Sequence, residues 1–336
     1  EFLEATLVRF SHWLQALAEL RQQRDLSLST LSFPYGEFRA GQREIAELVY
    51  KCIDQAGQLM MEAPTGIGKT AAVLYPALKA LGTGKHDRIA FITAKTVGRH
   101  AAEETLRNFR DVGLRVSALS LTSKERICFS PGKACHGDDC PFARGYYDRL
   151  PAALEAAMEI PSLQRVDIEG LGREFDVCPY QLALDLLPWI DVVIADIHYF
   201  YSLTATLGSL ALQDDRRWTV LLDEAHNLPE RARRMYRASL SKADVMAVKR
   251  TASPALAAAL NKINKSMLAL QREHWLEPDY DSRNELPQAL LQALQDFLAA
   301  IGERMAAEPA SLHRQPLLLD FYFAVLQFQR LVDNWG

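Results

Sequence analysis

The segment that most constrains the fold is a small-residue stretch between a short apolar run and an amphipathic helical pattern. It reads Ala63-Pro64-Thr65-Gly66-Ile67-Gly68-Lys69-Thr70. Small residues let backbone N–H groups close around a phosphate, and the helix that follows adds its N-terminal dipole. In such a loop Lys69 reaches the β- and γ-phosphates, and the Thr70 hydroxyl ligates Mg²⁺. The stretch therefore predicts a nucleotide-binding loop at a strand–helix junction.

Apolar runs and helical patterns alternate on both sides of this loop. Strands are predicted over 58–63, 88–93, 114–119, 191–195 and 218–222. Helices are predicted over 39–55, from the loop to residue 80, and over 97–109. This alternation is typical of a parallel sheet covered on both faces, and the β-branched runs at 191–195 and 218–222 are typical of its interior strands.

Helical patterns alone occupy the two ends of the chain. Residues 3–20 predict a packing helix with one apolar face, made of Leu3, Leu7, Phe10, Leu14, Leu17 and Leu20. After about residue 237 no strand pattern remains, and the helices are interrupted near Pro278, Pro287 and Pro316. The carboxyl-terminal stretch is therefore predicted to be a separate helical domain.

Composition narrows the classes of function. The 336 residues are 49% hydrophobic and 24% charged, which excludes a disordered chain and suffices for two or three folded domains. The net charge of −4 provides no global basic field, so any nucleic-acid binding must be local. No apolar run is long enough to span a bilayer, and a cytoplasmic protein without membrane contact is expected. Because the chain opens without Met and already in helical phase, we expect a fragment.

A second chemical motif follows the predicted strand 218–222. Asp223-Glu224-Ala225-His226 places two adjacent carboxylates at the carboxyl end of that strand, where α/β sheets bind ligands. Asp223 is predicted to hold Mg²⁺, and Glu224 to orient and deprotonate the attacking water. His226 is predicted to couple this site to segments of the protein that move. Read alone, the motif could also be a solvated loop or a helix cap.

Four cysteines form a third candidate site. Six residues separate Cys128 from Cys135, four separate Cys135 from Cys140, and 37 separate Cys140 from Cys178. In a reducing compartment this grouping favours metal over disulfides. The irregular spacing fits an iron–sulfur cluster, while zinc, with His136 as a further ligand, and unligated core cysteines stay open. Cys52 is predicted to be a small core residue.

The order of these motifs resembles the XPD/DinG family of iron–sulfur superfamily 2 helicases. The resemblance covers roughly residues 36–240 and is carried by several further stretches: Phe38-Arg39-Ala40-Gly41-Gln42, Phe91-Ile92-Thr93-Ala94-Lys95-Thr96, Ser123-Lys124-Glu125-Arg126-Ile127-Cys128, Cys178-Pro179-Tyr180 and Ile194-Ala195-Asp196-Ile197-His198-Tyr199. It implies a RecA-like α/β motor domain, an inserted Cys-rich iron–sulfur cluster domain and an all-helical arch domain. Ala63, where the general loop pattern has Gly, is a variant common among helicases.

The resemblance also implies a division of the chain. The expected parts are a helical extension over 1–35, the motor domain over 36–121 and 181–239, the cluster domain over 122–180, and an incomplete arch over 240–336. The motif of the second motor domain, Gln-x-x-Gly-Arg-x-x-Arg, does not occur in this sequence. We therefore expect this chain alone to hydrolyse ATP poorly and to unwind nothing, because that domain supplies the arginine finger.

Further implied features are the cofactors ATP, Mg²⁺ and a 4Fe–4S cluster on Cys128, Cys135, Cys140 and Cys178. The implied activity is 5′-to-3′ translocation on single-stranded DNA in repair or replication-linked processing. Gln42 would lie near the adenine. The residues that would face the DNA are Thr93, Ala94, Lys95, Thr96, Lys124 and Arg126.

A track for single strands needs cations for phosphates and aromatic rings for stacking. Additional candidate cations are Arg99 and Arg144, and the arginines of the run 231–237 could extend the basic surface or form a solvated helix face. Candidate stacking residues are Tyr146, Tyr147, Tyr180, Tyr199 and Tyr201. Two other classes of function stay open: a non-catalytic module that binds single strands or a protein partner with ATP as a switch, and a zinc-stabilised RNA-dependent ATPase.

Overall fold

The described residues of the chain form two compact units. A computed structural model describes residues 2–64, 66–274, 282, 284–308, 311–312 and 315–335. The first unit is Glu1–Arg231 and the second is Ala232–Gly336. No helix within the described ranges is long and apolar enough to cross a membrane.

A five-stranded parallel sheet organises the first unit, which confirms the predicted α/β class. Its strands are β1 (Arg88–Thr93), β2 (Ala118–Ser120), β3 (Ser162–Leu163), β4 (Val192–Asp196) and β5 (Trp218–Asp223). They lie in the order β3-β2-β4-β1-β5. Thr93 at the end of β1 is in register with Asp196 of β4 and with Asp223 of β5. The polar residues that follow these strands therefore meet at one edge of the sheet.

Helices surround the sheet and fill the connections. In the first unit they are α1 (Phe2–Ser29), α2 (Gln42–Asp54), α3 (Lys69–Gly82), α4 (Thr96–Asp111), α5 (Lys124–Ile127), α6 (Tyr146–Met158), α7 (Arg165–Glu174), α8 (Pro179–Leu186), α9 (Ile197–Tyr201), α10 (Thr206–Gln213) and α11 (Leu228–Met235), the last of which continues into the second unit. Short 3₁₀ turns cover Leu187–Trp189 and Ala225–Asn227. The core joins α3 and α4 to β1 and β4, with Leu74, Phe91, Phe109 and Ile194 almost fully buried.

The predicted strand 58–63 does not form. Residues 57–64 have no regular structure, and Met60 is 91% exposed. The run contains no β-branched or aromatic residue, so it lacks the side chains that pack well on a pleated surface. Strand β5 consequently pairs on one side only, with β1, and is half-buried along its length rather than interior as its sequence predicts.

Helix α1 packs against the sheet domain from Trp13 onward, where the Trp13 ring lies edge-on to Trp189 with ring centres 5.3 Å apart. Leu17 and Leu28 are buried, whereas Leu3, Leu7 and Phe10 are more than half exposed. The helix has 28 residues and so extends about 42 Å, well beyond strands of six residues. The predicted packing role is therefore wrong for its first turns.

The cysteine region contains more regular structure than the loops and one short helix predicted for it. Helices α5, α6 and α7 lie within it, and β3 adds a strand to the sheet beside β2. Pro151 lies inside α6 and conceals the helical pattern, because proline usually marks a break. Strand β2 is shorter than predicted, since the Ser117 N–H donates to the Asp191 carboxylate instead of joining the ladder.

All regular secondary structure among the described residues of the second unit is helical. Its helices are α12 (Lys242–Lys249), α13 (Pro254–His274), α14 (Gln288–Ala307) and α15 (Pro316–Asp333). Val248, Leu260, Phe297 and Phe321 contribute to its own apolar core. Helices α14 and α15 begin beside Pro287 and Pro316, as predicted, and Pro278 lies outside the described residues.

Candidate nucleotide site and nucleic-acid cleft

The small-residue loop leads directly into α3, with Gly68 as the residue that precedes the helix. Gly66 and Gly68 have φ of 82° and 80°, left-handed values that favour glycine. The Lys69 ammonium donates to the carbonyl of Ala63 at 3.0 Å and so closes the loop on itself. Pro64 and Ile67 lie on the same loop, Thr70 lies in the first turn of α3, and Thr65 lies outside the described residues. The loop therefore presents backbone N–H groups at the start of a long helix, which suits a phosphate.

Gln42 and Arg39 hold this loop in place. The buried Gln42 amide accepts from the Arg39 N–H at 2.8 Å and donates to the Gly68 carbonyl at 3.3 Å. The Arg39 guanidinium donates to the Gly66 carbonyl at 2.6 Å. A Cβ on Gly68 would lie 2.4 Å from the Gln42 amide nitrogen, so only glycine permits this approach. Sequence reasoning placed Gln42 near a base and gave Arg39 no role, although Arg39 belongs to the same motif.

Asp223 and Glu224 lie at the end of β5, beside the end of β1. The Thr93 hydroxyl donates to Asp223 Oδ2 at 3.3 Å. Glu224 has φ 54° and ψ 44°, a left-handed backbone that is uncommon outside glycine and occurs preferentially at functional sites. The Asn227 backbone and side-chain N–H groups both donate to the Glu224 carbonyl, at 2.9 and 3.1 Å, and stabilise this turn.

The Glu224 carboxylate has two cationic or polar neighbours. Its Oε2 lies 3.4 Å from the Lys95 ammonium and 3.3 Å from His226 Nε2. The Asn227 amide is 3.1 Å from the same His226 nitrogen. Within the described residues, no hydrogen bond or ion pair joins Asp223 or Glu224 to Lys69. The two nucleotide motifs are therefore positioned by separate local networks.

A cleft of about 370 Å³ opens beside these carboxylates, at the carboxyl ends of β1 and β4. Its lining combines four cations with hydroxyl groups and one carboxylate, and consists of Thr93, Ala94, Lys95, Thr96, Arg99, Ser123, Arg126, Asp196, His198, Tyr199 and Arg231. The structure thus brings together seven of the predicted strand-binding residues: Thr93, Ala94, Lys95, Thr96, Arg99, Arg126 and Tyr199. We name this feature the cationic cleft.

Arg231 contributes to the cationic cleft from α11. Its guanidinium donates to the Ala94 carbonyl at 2.8 Å and lies 3.7 Å from Asp196, which also contacts the His198 ring at 2.6 Å. The sequence predicted only that Arg231 belongs to a run that is basic or solvated. Lys124 and Arg144, two further predicted contacts, do not line the cleft, and the Arg144 guanidinium donates to the Gly137 carbonyl instead.

The five candidate tyrosines differ in environment. Tyr146 is buried and donates to the Asp185 carboxylate at 2.7 Å, and burial raises its pKa, so it is not available for stacking on a base. Tyr147 is 76% exposed. Tyr199 lines the cationic cleft and donates to the Thr122 carbonyl at 3.0 Å. Burial also raises the pKa values of Tyr180 and Tyr201, which are half-buried.

The cysteines of the predicted cluster are all free thiols. The Lys124 ammonium donates a hydrogen bond to the Cys135 sulfur, which raises the pKa of Lys124, and the charge of Cys128 adds to this effect. Burial raises the pKa of the Cys178 thiol, and the charges of Cys128 and Cys135 raise it further, whereas Cys140 is buried in the same loop region. Four reduced thiols fit a thiolate-bound group in donor chemistry. Among the described residues, however, no three ligand side chains are gathered into one coordination group.

Comparisons with known proteins find helicases that are similar to this chain. A family model described as DEAD_2 matches residues 101–245, and one described as DEAD/DEAH box helicase matches residues 40–127. The helicase subunit XPD of general transcription and DNA repair factor IIH from Arabidopsis thaliana is 23% identical over 233 residues, covering 59% of this chain and 30% of the relative. The homolog of regulator of telomere elongation helicase 1 from Anopheles gambiae is 20% identical over 283 residues, covering 66% of this chain and 28% of the relative.

Solved structures extend the likeness to the fold. A truncated XPD covers 86% of this chain and 81% of its own, with a TM-score of 0.53 and 18% identity. An XPD helicase covers 89% of this chain and 51% of its own, with a TM-score of 0.51 and 16% identity.

The parallel sheet with its helices is a RecA-like α/β fold, and residues 40–127 match the DEAD/DEAH box helicase model. The chain is similar to XPD helicases in sequence and in fold. The chain spans about 30% of the length of the curated relatives it matches.

Proposed function

We propose that this chain carries the ATP-binding motor domain of a DNA helicase that uses ATP and Mg²⁺. One observation carries the proposal: the two carboxylates of the Asp-Glu-Ala-His motif contact Thr93 and Lys95, which also line the cationic cleft. A motor of this kind must connect nucleotide chemistry to its grip on a strand. Here the two sites share the residues at the end of β1.

The proposed nucleotide chemistry assigns one role to each polar group. Lys69 binds the β- and γ-phosphates, Thr70 and Asp223 hold Mg²⁺, and Glu224 orients the attacking water. Gln42 positions the loop through the Gly68 carbonyl, and we extend its role to the adenine only by family resemblance. The Mg²⁺ ion would supply charge neutralisation for the phosphates.

Single-stranded DNA is the proposed occupant of the cationic cleft. Lys95, Arg99, Arg126 and Arg231 offer charges to phosphates, while a single carboxylate, Asp196, opposes them. Affinity that rests on phosphate contacts weakens steeply as salt is raised. The 5′-to-3′ direction and the role in DNA repair follow from the family resemblance, and Lys124 is assigned to the cysteine region.

A 4Fe–4S cluster on Cys128, Cys135, Cys140 and Cys178 completes the proposal. The four free thiols support it, as do the charge effects of Cys128 and Cys135 on the pKa values of Lys124 and Cys178. A bound cluster would crosslink the loop to α8, which begins directly after Cys178. An anaerobic iron and sulfide assay beside Cys128→Ser tests this part. About four irons and four sulfides per chain, lost in the variant, are expected, whereas stoichiometric zinc without sulfide would contradict the cluster.

The motor assignment is tested by binding of a fluorescent ATP analogue with Mg²⁺ and, separately, of a fluorescent oligo-dT. Lys69→Ala is expected to abolish nucleotide binding and to leave oligo-dT binding unchanged. Lys51→Ala, which removes an exposed lysine of α2, is the matched control and should change neither. Unaltered nucleotide binding by Lys69→Ala would contradict the assignment of the loop. Failure of the parent chain to bind oligo-dT at low salt would contradict the assignment of the cleft.

A further inference from the structure

The end of β1 makes two parallel contacts with the end of β5. Thr93 is in register with Asp223, and its hydroxyl donates to that carboxylate at 3.3 Å. Two residues later, Lys95 reaches the next carboxylate, Glu224, at 3.4 Å. Both residues of the β1 segment also line the cationic cleft. Each carboxylate of the nucleotide motif is thus in direct contact with the proposed strand-binding surface.

The two contacts differ in mobility. Thr93 is 2% exposed, and its β-branched side chain has little rotameric freedom. The Lys95 side chain is 55% exposed, and its flexible four-carbon stem can turn toward the cleft without moving the backbone. Glu224 is the fixed partner, because its left-handed backbone is stabilised by two hydrogen bonds from Asn227. Lys95 is therefore the one member of the pair that can change partners at low cost.

We propose that Lys95 is a positioning residue that exchanges Glu224 for a phosphate of a single strand in the cationic cleft, and thereby frees Glu224 to act on water. This inference rests on the proposed function and adds a regulatory connection to it. In the strand-free state the ammonium occupies carboxylate Oε2, an oxygen that would otherwise accept a proton from the attacking water. A phosphate that binds Lys95 removes this competitor.

Coupling between the Lys95–Glu224 contact and strand binding is reciprocal, so the proposal can be tested by binding measurements without ATP hydrolysis. If a bound strand weakens the contact between Lys95 and Glu224, then loss of the Glu224 charge must strengthen strand binding through Lys95. An ion pair with this degree of exposure changes an equilibrium by about two- to five-fold. This effect of the Glu224 charge on strand affinity requires Lys95. The general repulsion between a carboxylate and DNA does not require Lys95, so the two effects can be distinguished.

A double-mutant cycle on oligo-dT affinity tests the inference. The dissociation constant is measured by fluorescence anisotropy, at one low salt concentration, for the parent chain, Glu224→Gln, Lys95→Met and the double variant. Glu224→Gln is expected to tighten binding about two- to five-fold in the parent and to leave affinity unchanged in the Lys95→Met background. Lys95→Arg should retain the response, because a guanidinium can also bind either anion.

The matched control is Asp196→Asn, which removes a carboxylate of the same cleft that contacts His198 and Arg231 rather than Lys95. Its effect on affinity should be the same with and without Lys95. Thermal unfolding of each variant checks that the fold is retained. An equal effect of Glu224→Gln in both Lys95 backgrounds would overturn the exchange while leaving the proposed DNA cleft intact. A parent chain that does not bind oligo-dT would overturn both proposals.

Discussion

Gly98 lies where α4 comes closest to the carboxylate of Asp223. A Cβ at this position would lie 2.2 Å from the Thr93 hydroxyl oxygen and 2.5 Å from Asp223 Oδ2. Thr93 is buried and cannot withdraw without disturbing β1. Gly98→Ala is therefore expected to lower the free energy of unfolding by about 1–3 kcal/mol and to weaken Mg²⁺-dependent nucleotide binding. Urea unfolding and titration with a fluorescent ATP analogue measure the two effects.

The control for this prediction is a helical glycine with open space around it. Gly170 lies in α7, and a Cβ there would have no atom of another described segment within 4 Å. Gly170→Ala should raise the free energy of unfolding by about 0.5–1 kcal/mol, because alanine loses less backbone entropy in a helix. If Gly98→Ala and Gly170→Ala both stabilise the protein, the close approach of α4 to Asp223 does not exclude a side chain at position 98.

Burial determines the charge state of His86. Burial is the main cause that lowers the pKa of His86 to about 4, and one ring nitrogen contacts the Thr219 hydroxyl. The ring is therefore neutral in the folded state, while an unfolded histidine takes up a proton near pH 6.5. Since the unfolded chain binds more protons between pH 6.5 and 4, the stability contributed by neutral His86 is present above this window and is lost as the pH falls through it.

The predicted loss of stability from this group reaches about 3 kcal/mol by pH 4. Urea unfolding midpoints measured between pH 7 and 4 should fall less steeply for His86→Asn than for the parent chain. His12→Asn, at an exposed histidine of α1, provides the comparison and should keep the parent slope. Identical slopes for all three proteins would contradict the assignment to His86.

At the scale of elements, one arginine connects the start of β1 to its neighbours. The Arg88 side chain is 2% exposed and donates to the carbonyls of Leu187, Pro188 and Ile190, which lead into β4. Its guanidinium also lies 5.3 Å from the centre of the Trp218 ring at the start of β5. Arg88→Met should lower the free energy of unfolding by about 3 kcal/mol or more, because it removes the buried donor that three carbonyls share and the buried cation beside Asp214.

Lysine is not expected to rescue this position fully, since an ammonium lacks the planar fork that reaches several carbonyls at once. Arg217→Met gives the contrast: that arginine pairs with Asp87 at the surface, and its loss should change stability by less than about 1 kcal/mol. Urea unfolding measures both variants. Similar small changes for Arg88 and Arg217 would show that the buried arginine does not hold the strands together.

Strand patterns predicted the elements of the sheet well where β-branched residues were present. β1 and β4 have such runs and form at the predicted positions, to within a residue. The run 58–63 is apolar at its centre but rich in Leu and Met, and apolar character alone does not distinguish a buried strand from a loop beside a phosphate site. The edge position of β5 could not be predicted either, because neighbours in a parallel sheet are distant in sequence.

The candidate site was predictable to the extent that local motifs define it. The loop before α3 and the two carboxylates after β5 each carry their own signal. Arg39 and Arg231 act on backbone carbonyls of other segments, Gly66 and Ala94, and an arginine that serves this purpose has no local pattern. The contact between Lys95 and Glu224 depends on the register of β1 against β5, which only the structure provides.

At the scale of the whole molecule, the proposed motor functions belong to the first unit. The loop before α3, the carboxylates after β5 and every residue that lines the cationic cleft lie within Glu1–Arg231. The second unit has its own hydrophobic core, to which α13 and α14 contribute many of the side chains. Each unit therefore has the core that independent folding requires.

We predict that residues 232–336 fold cooperatively when expressed alone. Helices α12 to α15 share a core that includes Leu260 and Phe297, and the Gln327 amide of α15 donates to the Arg237 carbonyl, which joins the last helix to the beginning of the unit. Far-ultraviolet circular dichroism should show a helical spectrum and a single sigmoidal thermal transition. Phe297→Ala removes a fully buried ring and should lower stability by about 3–5 kcal/mol, whereas Phe323→Ala, at a half-exposed ring of the same unit, should cost far less. A gradual, non-cooperative melt of the parent segment would mean that its helices depend on the first unit for their order.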